Sequence, residues 1–179
     1  MMTDSIIEEE AAIAAEQAEE HQGIESRILG RPIGVLPDLR APIQVDRRAS
    51  LRSVIDRMNE ERIGCVLVVE QGRLVGVFTE RDVLTKVVGT AIDLHRTAVE
   101  DLMTRDPECL TLDDGIAYAL NKMTIGGFRH VPLVDALGRP TGVVAMRHIV
   151  EYLVDLFPRS ILNLPPSPDL AIARTREGA

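Results

Sequence analysis

The chain has 179 residues, is 45% hydrophobic and 3% aromatic, and carries a formal net charge of −8. This length and apolar content predict one domain or two small ones around an aliphatic core. The two cysteines, Cys65 and Cys109, lack both the C-x-x-C spacing of a zinc site and the even clustering of a small secreted scaffold, so they predict free thiols in a reducing cytosol.

The charge is unevenly distributed along the chain. Seven of the 28 acidic side chains and none of the 20 basic ones lie in residues 1–22, which leaves 20 basic and 21 acidic groups in the rest. A nearly neutral body with few aromatic side chains offers no long basic stripe for a phosphate backbone and little stacking surface for bases. Nucleic acid is therefore not the expected partner, although clustered arginines can still bind a small anion.

Targeting signals are absent from the sequence. No apolar run approaches the roughly 18 residues that a transmembrane helix needs. The acidic start MMTDSIIEEE also lacks the basic flank and apolar stretch of a signal peptide. The sequence therefore predicts a cytoplasmic protein without a membrane partner.

The first 34 residues are interpreted as an acidic helical extension and a linker. Residues 5–22 are rich in Ala, Glu and Ile and predict a helix with a thin apolar stripe. This helix is either solvated or binds a partner or a second copy of the chain. The linker GRPIGVLPDLRAP (30–42) contains too many prolines for a helix and is expected to run along the surface.

The central part of the chain contains an internal sequence repeat. PIQVDRRASLRSVIDRM (42–58) aligns with PECLTLDDGIAYALNKM (107–123) at a constant offset of 65. One extra residue in the second turn raises the offset to 66, which aligns GVFTERDV (76–83) with GVVAMRHI (142–149). An internal repeat of this kind predicts that the same structural unit occurs twice in the fold.

Periodicity predicts the same elements in both units. Leu51, Val54, Ile55 and Met58 recur at i, i+3, i+4 and i+7, and the aligned residues of the second unit repeat that spacing, so each unit begins with a helix that has one apolar stripe. Two short apolar runs around a glycine-containing turn then predict a hairpin. A further helix follows, and its predicted apolar stripe in the first unit consists of Val83, Leu84, Val87 and Val88.

Each unit therefore predicts the order β-α-β-β-α. The predicted boundaries are residues 35–92 for the first repeat and 93–157 for the second. Since about fifty residues form only a marginal core, the two pseudo-symmetric repeats are expected to pack as one module of the α/β (α+β) class. The proline-rich tail, residues 158–179, either docks through its few aliphatic side chains or stays unstructured.

The end of each hairpin carries the most specific pattern. Thr79 and Asp82 stand three residues apart at a helix start, the spacing of a capping box. The aligned residues of the second unit are Ala145 and His148, which indicates that the fold does not require this cap.

The tandem units and their strand-to-helix signature resemble a pair of cystathionine-beta-synthase-type (CBS) domains over about residues 35–157. VEDLMTRDP (99–107) is similar to the segment that leads into many such repeats, and GFRHVPLVD (127–135) resembles the second-strand signature of the family. The resemblance implies a module that binds AMP, ADP, ATP or S-adenosylmethionine in clefts between the two repeats. Such modules commonly regulate enzymes, channels or transporters, and they tend to associate as homodimers.

Within this resemblance, Asp82 is the candidate that accepts hydrogen bonds from both ribose hydroxyls. Thr79 is then expected to contact the ribose or a phosphate near the helix N-terminus. Ala145 cannot donate, and His148 is a poor substitute for a carboxylate, so the second cleft departs from the family pattern. The sequence therefore predicts that one cleft binds the ligand and makes no prediction of binding for the second cleft.

Cationic side chains are candidates for the phosphates of such a ligand. Arg129 and His130 form a basic pair at a position where the first repeat has none. The resemblance implies that they face the phosphates, for which the planar fork of arginine is suited. Alternatively, Arg129 is solvent-exposed and His130 is a hydrogen-bonded structural histidine. Arg81 and Arg147 adjoin the two clefts and point either inward or outward.

Adenine needs an apolar slot with backbone hydrogen-bonding groups. Val45, Cys65, Val66 and Val77 either line this slot or belong to the core.

No catalytic signature is present. The four histidines show no metal-binding spacing, and the sequence contains no P-loop and no G-x-S-x-G elbow. The sequence therefore predicts no catalytic residues, no metal and no covalent cofactor. The expected function is a regulatory module that binds an adenine nucleotide or S-adenosylmethionine and acts on an unknown protein partner. The alternative is a ligand-independent interaction or dimerisation scaffold.

Overall fold

The structure is a computed structural model that describes residue 28 and residues 30–157. The predicted N-terminal helix (5–22) and the C-terminal tail (158–179) lie outside the described residues.

The described residues form an α/β fold built from two repeats, as predicted. The first repeat contains β1 (Gln44–Asp46), α1 (Leu51–Glu61), β2 (Cys65–Glu70), β3 (Arg73–Thr79) and α2 (Glu80–Asp82), which continues as a π-helix (Val83–Val87). The second contains β4 (Thr104–Arg105), α3 (Ile116–Gly126), β5 (His130–Val134), β6 (Pro140–Ala145) and α4 (Met146–Leu156). Two 3-10 helices, Ile33–Val35 and Val99–Asp101, lie in the segments that lead into the repeats.

The helix α1 shows how the sequence specifies these elements. Its N-cap residue Ser50 accepts a hydrogen bond from the backbone N–H of Ser53 at 3.3 Å, which satisfies one donor of the first turn. The predicted stripe is confirmed, because Leu51, Val54 and Met58 are buried. The equivalent helix α3 ends at Gly127, whose φ of 65° is in the left-handed region that glycine adopts without strain.

The strand pairing displays the pseudo-symmetry directly. The sheet order is β1-β2-β3-β4, with β1 parallel to β2 and the other pairs antiparallel, while β5 and β6 form a separate hairpin. Val45 pairs with Val68 in the first repeat, and Leu110 pairs with Leu133 in the second, each shifted by 65 residues. The first strand of the second repeat is thus reduced to a single parallel bridge.

The segment that leads into the first strand of each repeat completes the core of the other repeat. Ile33 is fully buried and Leu36 is 5% exposed, and both pack in the core of the second repeat. In the same way, Val99 is fully buried in the core of the first repeat. The surface course expected for linker 30–42 is therefore wrong for these side chains. Their burial is permitted because the backbone N–H of Ile33 donates to the carbonyl of Asp114 at 2.8 Å.

The helix after the first hairpin also differs from its prediction. Val83 and Val87 pack against the core of the first repeat, but Leu84 and Val88 are 68% and 62% exposed. The chain forms only one α-helical turn and then a π-turn, in which the Val88 N–H donates to the Val83 carbonyl at 3.0 Å. The prediction assumed 3.6 residues per turn, which this segment does not follow. None of the helices in the described part of the chain is both long and apolar enough to cross a membrane.

Candidate functional site: two clefts between the repeats

Two cavities lie between the repeats. The first cleft has a volume of about 440 Å³ and is lined by Val77, Thr79 and Asp82 of the first repeat and by Arg129 and His130 of the second. Its volume is in the range of small-molecule sites. The structure therefore brings five of the seven predicted site residues to one cavity.

The second cleft is larger, about 600 Å³, and faces the start of α4. Cys65, Ala145 and His148 line it together with Arg129 and His130, which contact both clefts. The two clefts thus occupy equivalent places around the pseudo-symmetry of the repeats but present different side chains.

Thr79 and Asp82 form the predicted capping box at the wall of the first cleft. Asp82 Oδ2 accepts hydrogen bonds from the backbone N–H of Thr79 at 2.9 Å and from its hydroxyl at 2.6 Å. The Asp82 N–H donates to Thr79 Oγ1 at 3.3 Å. Asp82 is only 7% exposed, so its carboxylate is a buried acceptor at the wall of the cleft.

Lys86 holds the other carboxylate oxygen of Asp82. Its Nζ lies 2.6 Å from Asp82 Oδ1 and donates to the Leu102 carbonyl at 2.6 Å. An oppositely charged partner of this kind stabilises a buried charge. Sequence reasoning missed Lys86, although its position four residues after Asp82 on a helical segment is the spacing at which opposite charges pair.

The described residues contain a second copy of this hydrogen-bond pattern outside the clefts. The backbone N–H and the hydroxyl of Thr111 donate to Asp114 Oδ2 at 2.7 and 2.9 Å. Neither residue lines a cleft. Thr-x-x-Asp spacing alone therefore indicates only a turn or cap, and what distinguishes Asp82 is the cavity beside it.

Three of the candidates for an adenine slot, Val45, Val66 and Cys65, do not line the first cleft. Val66 is fully buried in the core of the first repeat, and Val45 packs against that core. Cys65 lines the second cleft, not the first, and burial raises the pKa of its thiol to about 12, so it stays protonated and unreactive. Alternating side chains of β2 point to opposite faces, which sequence alone did not assign.

Aromatic surface enters the first cleft from the second repeat instead. Phe128 lines it, and Gly126 allows the approach, because a Cβ atom at Gly126 would clash with the Phe128 ring. Arg81 points inward and donates to the Gly127 carbonyl at 2.5 Å, which links the two repeats across the cleft. Asp106, from the segment after β4, completes this wall. Sequence reasoning missed Phe128 and Asp106 because only the packing of the repeats brings them to the cleft.

His148 replaces Asp82 in the second cleft and keeps half of its structural role. The backbone N–H of Ala145 donates to His148 Nδ1 at 3.2 Å, the counterpart of the bond from Thr79 to Asp82. The sequence indicated that the fold does not require a Thr–Asp pair here, and His148 supplies the returning half of the box in its place. Because Nδ1 accepts a hydrogen bond, the ring proton of the neutral imidazole is on Nε2.

The pKa values of two histidines near the clefts, His130 and His148, are lowered by their surroundings. Burial lowers the pKa of His130, and nearby Arg129 and Arg147 act in the same direction against the opposing effect of Glu80. Burial also lowers the pKa of His148, with Arg147 as the next cause. Both imidazoles therefore favour the uncharged form in the folded protein more than in the unfolded chain.

We expect folding stability to fall as the pH drops below about 6.5, the ordinary pKa of histidine. The unfolded chain takes up protons first, because the folded-state pKa of both histidines is lower, so stability is present above this pH and lost towards the folded-state values. Each histidine contributes at most about 1.4 kcal/mol per pH unit. Urea unfolding at about pH 7.5 and about pH 5.5 measures the loss.

The variant H130Q/H148N supplies the control, because the asparagine side chain retains an acceptor for the Ala145 N–H and neither replacement titrates. Its stability should change less between the two pH values than that of the wild type. An equal loss in both proteins would assign the pH dependence to other groups.

Comparison with known proteins agrees with this geometry. The CBS domain family matches residues 38–89 and 99–155, which are most of the described chain. The chain belongs to the CBS domain family. The CBS domain-containing protein CBSCBSPB1 of Arabidopsis thaliana is 32% identical over 120 residues, 67% of this chain and 22% of that protein. This CBS pair thus spans about a fifth of the length of that relative.

Two solved CBS structures are similar in fold. The CBS domain pair of protein MJ0100, in complex with 5′-methylthioadenosine and S-adenosyl-L-methionine, has a TM-score of 0.60 at 22% identity and covers 68% of this chain and 94% of that one. CBSX2 in complex with AMP has a TM-score of 0.60 at 22% identity and covers 71% of this chain and 98% of that one. Both similarities establish the fold of the pair.

Proposed function

We propose that this CBS pair is a regulatory module that binds an adenosine-containing ligand in the first cleft. The observation that carries the proposal is the Asp82 carboxylate, which is 7% exposed and lines a cavity of about 440 Å³ between the repeats. A buried acceptor at a cavity wall suits a ligand that presents hydroxyl donors. The ligands of the two similar CBS structures, which contain adenosine or a close derivative, support the ligand class.

The hydrogen-bond inventory of Asp82 leaves room for a ribose. A carboxylate has about four acceptor positions, and Thr79 and Lys86 use three of them. The fourth accepts one ribose hydroxyl. The Thr79 hydroxyl can rotate towards the ligand and release a second position for the other, which explains why a hydroxyl residue and a carboxylate are useful together.

The remaining contacts favour an adenosine group with few negative charges. Val77, Phe128 and two prolines supply apolar surface for the base. Two of the four acids that line the cleft form ion pairs: Asp82 with Lys86 and Glu108 with Lys122. The two remaining lining acids, Glu80 and Asp106, are matched in number by two lining arginines, Arg81 and Arg129. This balance is close to neutral, so AMP and S-adenosylmethionine fit the first cleft better than ATP.

Ligand binding can change the arrangement of the two repeats. Thr79 and Asp82 come from the first repeat and Arg129 and His130 from the second, so a bound ligand contacts both. It shifts the equilibrium towards the arrangement that it binds more tightly, by no more than that difference in affinity. The signal then passes to a protein partner without catalysis by this module. The homodimer also stays a prediction.

Comparing AMP with 2′-deoxy-AMP tests the ribose contact without any mutation. If Asp82 accepts from both hydroxyls, loss of the 2′-hydroxyl removes one hydrogen bond to a charged group, about 1.5–3 kcal/mol. We therefore expect 2′-deoxy-AMP to bind roughly ten- to a hundredfold more weakly in isothermal titration calorimetry.

Two outcomes would contradict the proposal. Equal affinity for the two nucleotides would remove the ribose contact from Asp82. A correctly folded wild type that binds none of AMP, ATP and S-adenosylmethionine would reduce Thr79 and Asp82 to a helix cap and favour the scaffold alternative.

A further inference from the structure

The Asp82 carboxylate is held by different partners at its two oxygens. Oδ2 accepts from the backbone N–H and the hydroxyl of Thr79 at 2.9 and 2.6 Å, and Oδ1 lies 2.6 Å from Lys86 Nζ. Each carboxylate oxygen has about two acceptor positions. Within the described part of the chain, Oδ2 is therefore fully used, and the position left for a ligand is on Oδ1.

Lys86 fixes the direction of that remaining position. The torsion that turns a carboxylate about its Cβ–Cγ bond has broad minima, so the side-chain rotamer does not fix it. Thr79 binds one oxygen only, and the ion pair with Lys86 fixes the other. Lys86 lines neither cleft, so it acts on a ligand in the first cleft through Asp82.

The second hydrogen bond of Lys86 connects the carboxylate to another part of the cleft wall. Lys86 Nζ donates to the Leu102 carbonyl at 2.6 Å. Leu102 directly follows a 3-10 helix that Val99, which is fully buried, anchors in the core of the first repeat. Thr104 and Asp106, which come next in the chain, line the first cleft. Lys86 therefore sets the position of the carboxylate relative to this wall.

The segment that carries Lys86 is itself anchored. Val83 and Val87, which begin and end the π-helix, pack against the core of the first repeat. The Val88 N–H closes this turn by donating to the Val83 carbonyl at 3.0 Å. The ammonium group is thus held in place by packing, as a residue that orients another side chain requires.

We propose that Lys86 is a positioning residue for the ribose of the bound ligand. It orients Oδ1 of Asp82 and fixes the distance between this carboxylate and the wall formed by Thr104 and Asp106. The inference rests on the function proposed above, because it requires that Asp82 binds the ribose. It adds that selectivity for the ribose depends on a side chain outside the cleft.

The test measures the affinities for AMP, 2′-deoxy-AMP and adenosine by isothermal titration calorimetry of the full chain. K86M keeps the aliphatic stem of the side chain but removes its charge and its donors. It should bind AMP and adenosine each about tenfold more weakly, because the hydrogen bond from a ribose hydroxyl to Asp82 is misaligned. For the same reason, the ratio between the affinities for AMP and 2′-deoxy-AMP should fall to about threefold or less.

Two further variants separate positioning from charge. K86R keeps the charge and offers donors for both Asp82 and the Leu102 carbonyl, so its AMP affinity and its ratio should stay within about threefold of wild type. R52M is the matched control, because Arg52 forms an ion pair with Asp56 at the same i,i+4 spacing and lines neither cleft. It removes one positive charge, as K86M does, and should leave all three affinities unchanged.

The double variant D82N/K86M tests whether Lys86 acts through Asp82. If it does, removal of Lys86 has no further effect once Asp82 is replaced, and the double variant should bind AMP as D82N does. Circular dichroism checks the fold of each variant. If K86M does not fold, K86Q takes its place, because glutamine keeps a neutral donor without the charge, and it should show the same fall in the ratio.

Three results would overturn the inference. The first is a K86M protein that binds AMP more weakly but keeps the wild-type ratio, which would reduce Lys86 to a stabilising ion pair. The second is a loss for AMP with unchanged affinity for adenosine, which would place the effect of Lys86 on the phosphate. The third is an additive loss in D82N/K86M.

Failure of the proposed function is seen in a different protein. A wild type that does not distinguish AMP from 2′-deoxy-AMP contradicts the ribose contact itself, and the role of Lys86 with it. A wild type that does distinguish them, beside a K86M protein with the same ratio, contradicts the role of Lys86 alone.

Discussion

Replacing Asp82 with asparagine should weaken binding of AMP to the first cleft by roughly a hundredfold and abolish the preference for AMP over 2′-deoxy-AMP. Asparagine has one acceptor oxygen in place of two and carries no charge, so it cannot accept from both ribose hydroxyls while it retains the bond from Thr79. Hydrogen bonds to a charged group are worth about 1.5–3 kcal/mol each, so the loss of one or two accounts for this magnitude. Titration calorimetry with both nucleotides measures it.

Asp114→Asn is the matched control for this substitution. Asp114 accepts the same two hydrogen bonds from Thr111 that Asp82 accepts from Thr79, but it lines no cleft. Both substitutions weaken the cap, at about 1 kcal/mol, and Asp82→Asn additionally loses the ion pair with Lys86, so it should cost more stability than Asp114→Asn. Only Asp82→Asn should change nucleotide affinity. If the two variants bind AMP equally well, Asp82 has no role beyond the cap.

Replacing Ile33 with alanine should lower the free energy of unfolding by about 2–5 kcal/mol, the usual cost of truncating a buried isoleucine. Ile33 is fully buried in the core of the second repeat, although it precedes the first repeat in the chain. At about 2–4 °C per kcal/mol for a chain of this size, the melting temperature should fall by roughly 4–20 °C. Thermal and urea unfolding followed by circular dichroism give both values.

Val35→Ala provides the comparison within the same 3-10 helix. Val35 is 37% exposed, so its truncation should cost about 0.5 kcal/mol or less. The contrast tests whether the segment before the first repeat is part of the fold. If Ile33→Ala costs no more than Val35→Ala, this segment does not complete the second core.

The two clefts present opposite hydrogen-bonding groups. Asp82 presents a buried acceptor in the first cleft, and His148 presents a donor in the second. Arg129 and His130 line both. A ligand bound in the first cleft, as proposed, would therefore change the surroundings of two side chains that also line the second.

The sequence by itself determined the repeat, the order of its elements and the residues at the start of α2. These features depend on local spacing: the apolar period of α1, the turn glycines and the capping pattern of Thr79 and Asp82 all act within a few residues. The offset of 65 was also sufficient to locate Arg129 and His130 at the start of the second hairpin, where the structure places both beside the clefts.

The tertiary structure alone decided what lies across the repeats. It buried Ile33 in the second core, packed Val45 against the first core and placed Cys65 in the wall of the second cleft. It also distinguishes Asp82 from Asp114: the two carboxylates accept the same hydrogen bonds from a threonine, but only Asp82 lines a cavity. Spacing along a chain specifies local hydrogen bonds, whereas cavities and cores form where distant segments pack, and no local pattern encodes that contact.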